Sequence, residues 1–154
     1  MTEMPGLTLP AYYLYYQSPV KIVETPDGGA RVWRVSIDSG GWHEKNDIFV
    51  EITLGVGGDI FRRTAEDFVQ EVEAYRAHYL KGDGPIFALY DAVRSIEDLA
   101  DAEARHETAR EQAIIRGIRQ RTFVMFEEQL RAAGDPGADP EIARAQSRDG
   151  WDRA

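Results

Sequence analysis

The chain has 154 residues, 43% apolar and 29% charged, with a formal net charge of −9 and no cysteine. A chain of this length buries about two-thirds of its unfolded surface in one core, and the lack of cysteine excludes disulfides, thiolate-bound metals and thiol catalysis. The acidic balance, with a pI near 4.8, disfavours nucleic acid, whose phosphates call for a basic face, and suits encounter with a basic protein.

The opening MTEMPGLTLP carries neither the charged nor the apolar region of a secretory leader. No apolar run approaches the ~20 residues of a membrane span, so the expected location is the cytoplasm. Arginine outnumbers lysine fifteen to three, as in a GC-rich bacterial or phage genome.

Residues 11–37 read as β-structure. AYYLYYQ is rich in aromatics and VKIVET in β-branched residues. ARVWRVSI alternates, with Trp33, Val35 and Ile37 on one face and Arg34 and Ser36 on the other. The turn residues PDGG, from Pro26 to Gly29, predict a hairpin between the second and third strands, and DSGG ends the third. In NDIFVEITLG, Val50, Ile52, Leu54 and Val56 alternate with polar residues, which favours a fourth strand. Asp47 offers the alternative of a capped short helix. IFRRT reads as a short strand or connection.

From residue 64 the apolar period becomes 3.6. Thr64 and Asp67 resemble a capping box. Phe68, Val72, Tyr75 and Tyr79 then share a stripe, and KGDG stops the helix. Pro85 suits the first turn of the next helix, which carries Ile86, Leu89, Tyr90 and Val93. A long helix, restarted or not at Ser95, is expected to run to about Ala133. The fold class is α+β: an N-terminal antiparallel sheet of three to four strands over about residues 11–56, then two to three helices ending in one long helix. Residues 1–133 form the expected domain, and residues 134–154 a polar loop with a short helix or flexible tail.

Within the long helix, EARHETAR breaks an apolar stripe. Ile96, Ala100, Ile114, Ile118 and Met125 share one side of a helical wheel, and Glu103, Glu107, Arg110 and Arg121 fall on that same side, with His106 at its edge. Three explanations compete. The segment is a solvated arm of the helix; or it is a seam between protomers, with the acidic stretch 97–111 of one helix against Arg116, Arg119, Arg121 and Arg131 of another; or it is a polar site. Glu103 and His106 match the E-x-x-H spacing of carboxylate-bridged metal bundles, but the second half of that ligand set is missing, so no metal or cofactor is expected.

Other candidates lie on the sheet. Tyr13 and Tyr15 share one face of the first strand, opposite Tyr12, Leu14 and Tyr16. They are either covered or form a tyrosine-lined contact surface. GGWHEKND places Trp42 and His43 in or beside a loop, where Trp42 is either a lid on the core or an anchor for a partner. GVGGD lacks the strand-to-helix context of a nucleotide fingerprint. The leading expectation is a non-enzymatic protein-interaction module of inhibitor, immunity, antitoxin-like or adaptor type. Its partner is another protein, or itself as a homodimer through the long helix. The contact candidates are Tyr13, Tyr15, Trp42, His43, Glu103, His106, Glu107 and Arg110. The alternative is a small-molecule-binding protein or enzyme with a His/Glu pair, either His43 with Glu44 or Glu103 with His106, between sheet and helices.

Overall fold

A computed structural model describes residues 7–55 and 57–145. Five strands form one antiparallel sheet: β1 (Ala11–Tyr15), β2 (Ser18–Glu24), β3 (Ala30–Val35), β4 (Trp42–Glu44) and β5 (Ile60–Arg63), in the order β4-β3-β2-β1-β5. The predicted hairpin joins β2 to β3, with the Thr25 amide donating to the Gly29 carbonyl at 2.9 Å. Gly28 takes the positive φ of 83° that this turn requires. β1 and β2 are linked by Tyr16 and Gln17 alone, both left-handed at φ 45° and 70°.

The stretch expected to be a fourth strand at residues 48–56 is helical. A 3-10 turn at Asn46–Ile48 leads into α1 (Phe49–Leu54), and the first turn has no side-chain cap from Asp47 or any other residue. The strand order supplies the reason. The chain leaves β4 at one edge of the sheet and must reach β5 at the other, four strand spacings away, or about 19 Å. A helix lying across the sheet face spans about half of that distance at 1.5 Å per residue, while burying Ile48 and Ile52, which stand one turn apart. The alternation of Val50, Ile52 and Leu54 fits a helix equally well, with Val50 and Leu54 turned to solvent.

Both faces of the sheet are therefore covered. Under α1 lie Ala11, Tyr13, Val20, Ile22 and Val32. On the opposite face, Trp33, Val35 and Trp42 meet Phe68, Val69 and Val72 of α2 (Ala65–Tyr79) and Phe123 of α4 (Ala109–Ala132). Thr64 caps α2, accepting from the Asp67 amide at 3.1 Å, while the Asp67 carboxylate turns to Arg116 at 3.7 Å instead of closing the expected capping box. Between them runs α3 (Pro85–Ala102), joined to the body through Ile86, Tyr90, Leu80 and Phe126. Beyond α4, residues 134–140 loop back over the sheet edge and a helical turn follows at 141–145. Ile142 and Ala143 of that turn are buried in the main core.

The single long helix is two helices. α3 ends at Glu103, Ala104 turns back at φ 51°, and Thr108 opens α4 with a capping box: its side chain accepts from the Glu111 amide while Glu111 reaches back to the Thr108 amide. Arg105 braces the bend from inside, donating to Glu103 at 2.6 Å and to Glu111 at 2.7 Å. Hydrogen bonds from Arg105 and the Thr108 backbone hold the Glu111 carboxyl down at about 2. The sequence signal was T-x-x-E at Thr108–Glu111, inside the segment that interrupts the stripe.

The sign of one substitution distinguishes bend from helix. In a continuous helix, Ala104→Gly would cost about 1 kcal/mol. At a left-handed position it is expected to stabilise the chain by up to ~1 kcal/mol, while Thr108→Ala costs about 1 kcal/mol through loss of the cap. Urea unfolding midpoints of the two variants give both signs.

Candidate functional site

The least expected feature of the core is its charge. Glu73 and Arg76 stand three residues apart on α2, continuing the inward stripe of Val69 and Val72, and both are fully buried with Glu127 of α4. The Arg76 guanidinium donates to Glu73 at 2.9 Å, to Glu127 at 2.6 Å and to the Gly40 carbonyl at 2.9 Å, and it lies 4.1 Å from the Phe126 ring centre. Glu127 also accepts from the Trp42 indole at 2.9 Å and the Asp139 amide at 3.0 Å. Glu73 accepts from the Tyr90 hydroxyl at 2.9 Å. Lys21 is buried too, donating to the Gly137 carbonyl and sitting 4.2 Å from the Trp42 ring centre. Two cations and two carboxylates share the space, each with partners, as buried charge requires.

Burial pushes the Glu73 carboxyl up, against Arg76 and the hydroxyls around it. Burial alone would lower Arg76, but Glu73 and Glu127 together hold it above the usual arginine value. The bonds from Arg76 and Tyr90 to Glu73 are those of an ionised carboxylate. Burial lowers the Lys21 ammonium to about 8, with Glu127 and Asp139 opposing.

The residues expected to form a contact surface are dispersed. Trp42 is 6% exposed and Tyr13 7% exposed, on opposite faces of the sheet. Neither is available to a partner in this fold: Trp42 is the lid on the core, and Tyr13 packs under α1. Tyr15 is half-buried and donates to Glu51 of α1 at 2.8 Å. His43 is exposed on the edge strand β4, beside Glu44, which pairs with Arg31 at 3.0 Å. Glu103 and His106 belong to the bend rather than to a helical face, so the E-x-x-H spacing does not bring them onto one side. Among the described residues no group of three or more His, Asp or Glu side chains could hold a metal ion. His106 and Arg110 are exposed and Glu107 is half-buried. The bend folds α3 back along α4, which links the acidic and basic segments within one chain at Glu97 and Arg119, while Arg116 faces Asp67 of α2 and Arg131 faces Asp139. Glu97 is the leading charge acting on Arg119.

Two surfaces remain. One is the outer side of α1, where Val50 and Leu54 are 61% and 64% exposed. Tyr16 is 47% exposed, and its hydroxyl lies 3.5 Å from Glu51 of that helix. The other is a groove of about 230 Å³ between α2, α3 and α4. Its floor is the Tyr90–Glu73 hydrogen bond, Ala74, Ala77 and Val93 give it an apolar wall, and His78, Arg94, Glu97 and Arg119 complete the lining. None of these residues carries a recognisable sequence motif. The available signal was Glu73 and Arg76 lying on the inward stripe of α2 and Lys21 lying between the core residues Val20 and Ile22. No family model matches the chain, and neither a curated protein nor a solved structure matches it.

Removing one partner of a buried ion pair leaves the other uncompensated, so Glu127→Gln is expected to cost about 3–5 kcal/mol in urea unfolding. Lys21 has its own signature. Between its folded value of about 8 and its ordinary 10.5, the unfolded chain binds more protons than the folded one, so this group makes stability rise with pH across that interval. Lys21→Met removes the rise. The difference between wild-type and variant unfolding free energies, followed from neutral pH to above pH 9, isolates it from the tyrosines.

Proposed function

We propose that the chain is a non-enzymatic protein-interaction module that engages its partner through the outer side of α1 and the adjoining β1–β2 turn. The observation that carries this reading is Tyr16. A two-residue hairpin turn with both φ angles positive is normally built from Asn-Gly; here it is Tyr-Gln. Left-handed backbone costs a side-chain-bearing residue about 1–2 kcal/mol, and such strain is retained where the side chain's position matters for something other than stability. The strained turn presents a half-exposed ring whose hydroxyl reaches Glu51 of α1, the helix on which Val50 and Leu54 form an exposed apolar pair opposite its buried side. Val50 and Leu54 stand one helical turn apart, and adjoining exposed apolar side chains mark interaction sites better than scattered ones do.

The net charge of −9 favours a basic partner, because opposite charge speeds encounter. Self-association is the second reading. It is favoured by Leu99 and Ile114, 51% and 43% exposed on the two helices flanking the bend.

Replacing the turn tests the reading and separates binding from folding. Tyr16→Asn with Gln17→Gly is expected to raise stability by about 1–2 kcal/mol, yet to reduce partner retention on an affinity column at least tenfold. Val50→Asp with Leu54→Asp is expected to have the same effect on retention with little change in melting temperature. Light scattering reports self-association. A monomer that retains no protein from lysate, or retention untouched by both double variants, would overturn the proposal.

A further inference from the structure

The groove between α2, α3 and α4 holds two charges in an unusual state. Among the described residues, no carboxylate lies within 4.0 Å of the Arg119 guanidinium and no cation within 4.0 Å of Glu97, although Glu97 is the strongest charge acting on Arg119. Both side chains line the groove and both residues are half-buried. The other charges facing it are already engaged: Glu73 by Arg76 and Tyr90, and Arg94 by Asp91 at 2.7 Å and by the Ala77 carbonyl. His78 stands exposed at the rim.

A partly desolvated cation and anion that flank a gap without closing on each other are each short of a partner. Arginine offers a planar fork that fits a carboxylate in two-point contact. Glutamate accepts from an ammonium group or another donor. A volume of about 230 Å³ lies below the range of drug-sized ligand pockets, and the carboxylates of Glu73 and Glu97 oppose a ligand carrying several negative charges. We propose that this groove binds a small zwitterion of the amino-acid type, its carboxylate on Arg119, its ammonium group on Glu97, and its side chain against Ala74, Ala77 and Val93. The site is separate from the α1 surface, so occupancy of the groove and contact through α1 are independent.

The full-length chain, labelled with nitrogen-15, can be titrated with L-alanine and L-leucine at millimolar concentrations. Acetate, methylammonium and inorganic phosphate serve as single-charge controls. The expected result is saturable shifts confined to groove amides on α2 and α3 and to the Arg119 side-chain Nε–H, with either amino acid binding at least tenfold more tightly than acetate or methylammonium. Arg119→Met and Glu97→Gln should each weaken that binding about tenfold, equivalent to ~1.4 kcal/mol, with melting temperatures close to wild type. The proposal is overturned if neither amino acid produces saturable groove shifts, if phosphate binds as tightly as they do, or if both variants bind as the wild type does. Direct closure of Arg119 on Glu97 would give the first of these results.

Discussion

Everything on the helical side of the sheet is tied to the Arg76 guanidinium. Its three donor directions reach Glu73 one turn back on the same helix, Glu127 on α4, and the Gly40 carbonyl in the β3–β4 turn. Through Glu73 and Tyr90 the same network holds α3, and through Glu127 it holds Trp42 and the segment after α4. Gly40 is needed for this approach: its φ is 74°, and a Cβ there would lie 2.6 Å from both Leu80 and Phe126. An apolar core could supply as much burial energy with less desolvation, since buried ion pairs are seldom better than neutral against hydrophobic replacements. What the charged centre adds is direction. A fork with three required acceptors fits one arrangement of four elements.

The elements whose patterns have a local cause were legible in the sequence. The β2–β3 turn, the strand character of residues 11–35 and Thr64 as the N-cap of α2 depend on neighbours in the chain and stand as read. Ile37, expected on the face of Trp33 and Val35, lies in the turn beyond β3 and is 49% exposed. The failures lie where the cause is remote. Nothing within residues 48–56 says that the chain must cross the sheet from edge to edge, so an apolar alternation compatible with both periods was read as a strand. At Glu103–Thr108 the local evidence was present, since Thr108 and Glu111 form a capping box, but the apolar stripe resumes in register on both sides and implies continuity. Ala104, a strong helix former standing in a left-handed conformation, gave no warning of a bend. The charged core was hidden for a different reason. Lys21, Glu73, Arg76 and Glu127 are residue types that normally mark the surface, and only their mutual placement makes burial tolerable.

The bend also changes where function can reside. Folding α3 back along α4 turns a charge-polarised single helix into a hairpin in which Glu97 and Arg119 act on each other within the chain. The same fold-back opens the groove at which Glu97 and Arg119 face each other. The most exposed apolar pair, Val50 and Leu54, lies on the far side of the sheet, on α1, a short helix placed there by strand order. The proposed contact surface on α1 and the proposed groove site are thereby separated by the thickness of the sheet and its helices.

The stretch after α4 is held mostly through its backbone. Lys21 bonds the Gly137 carbonyl and Glu127 the Asp139 amide, while among side chains Asp135 accepts from the Trp42 amide at 2.9 Å and Asp139 lies 3.9 Å from Arg131 of α4. A clasp of this kind is nearly blind to what the clasped residues are. Where only the backbone is gripped, as at Pro136 and Ala138, the side chain can vary with little effect on the fold. The exceptions include Asp135, Gly134 with its φ of 87°, and Gly137, where a Cβ would run into the Trp42 side chain. They also include Asp139, which accepts from the Glu141 amide, Glu141 itself, which pairs with Arg144, and buried Pro140. Proteins sharing this architecture would therefore diverge at the backbone-held positions of that stretch while keeping a Lys, a Trp and a Glu far upstream of it, and they would be recognised by what grips the segment more than by the segment itself.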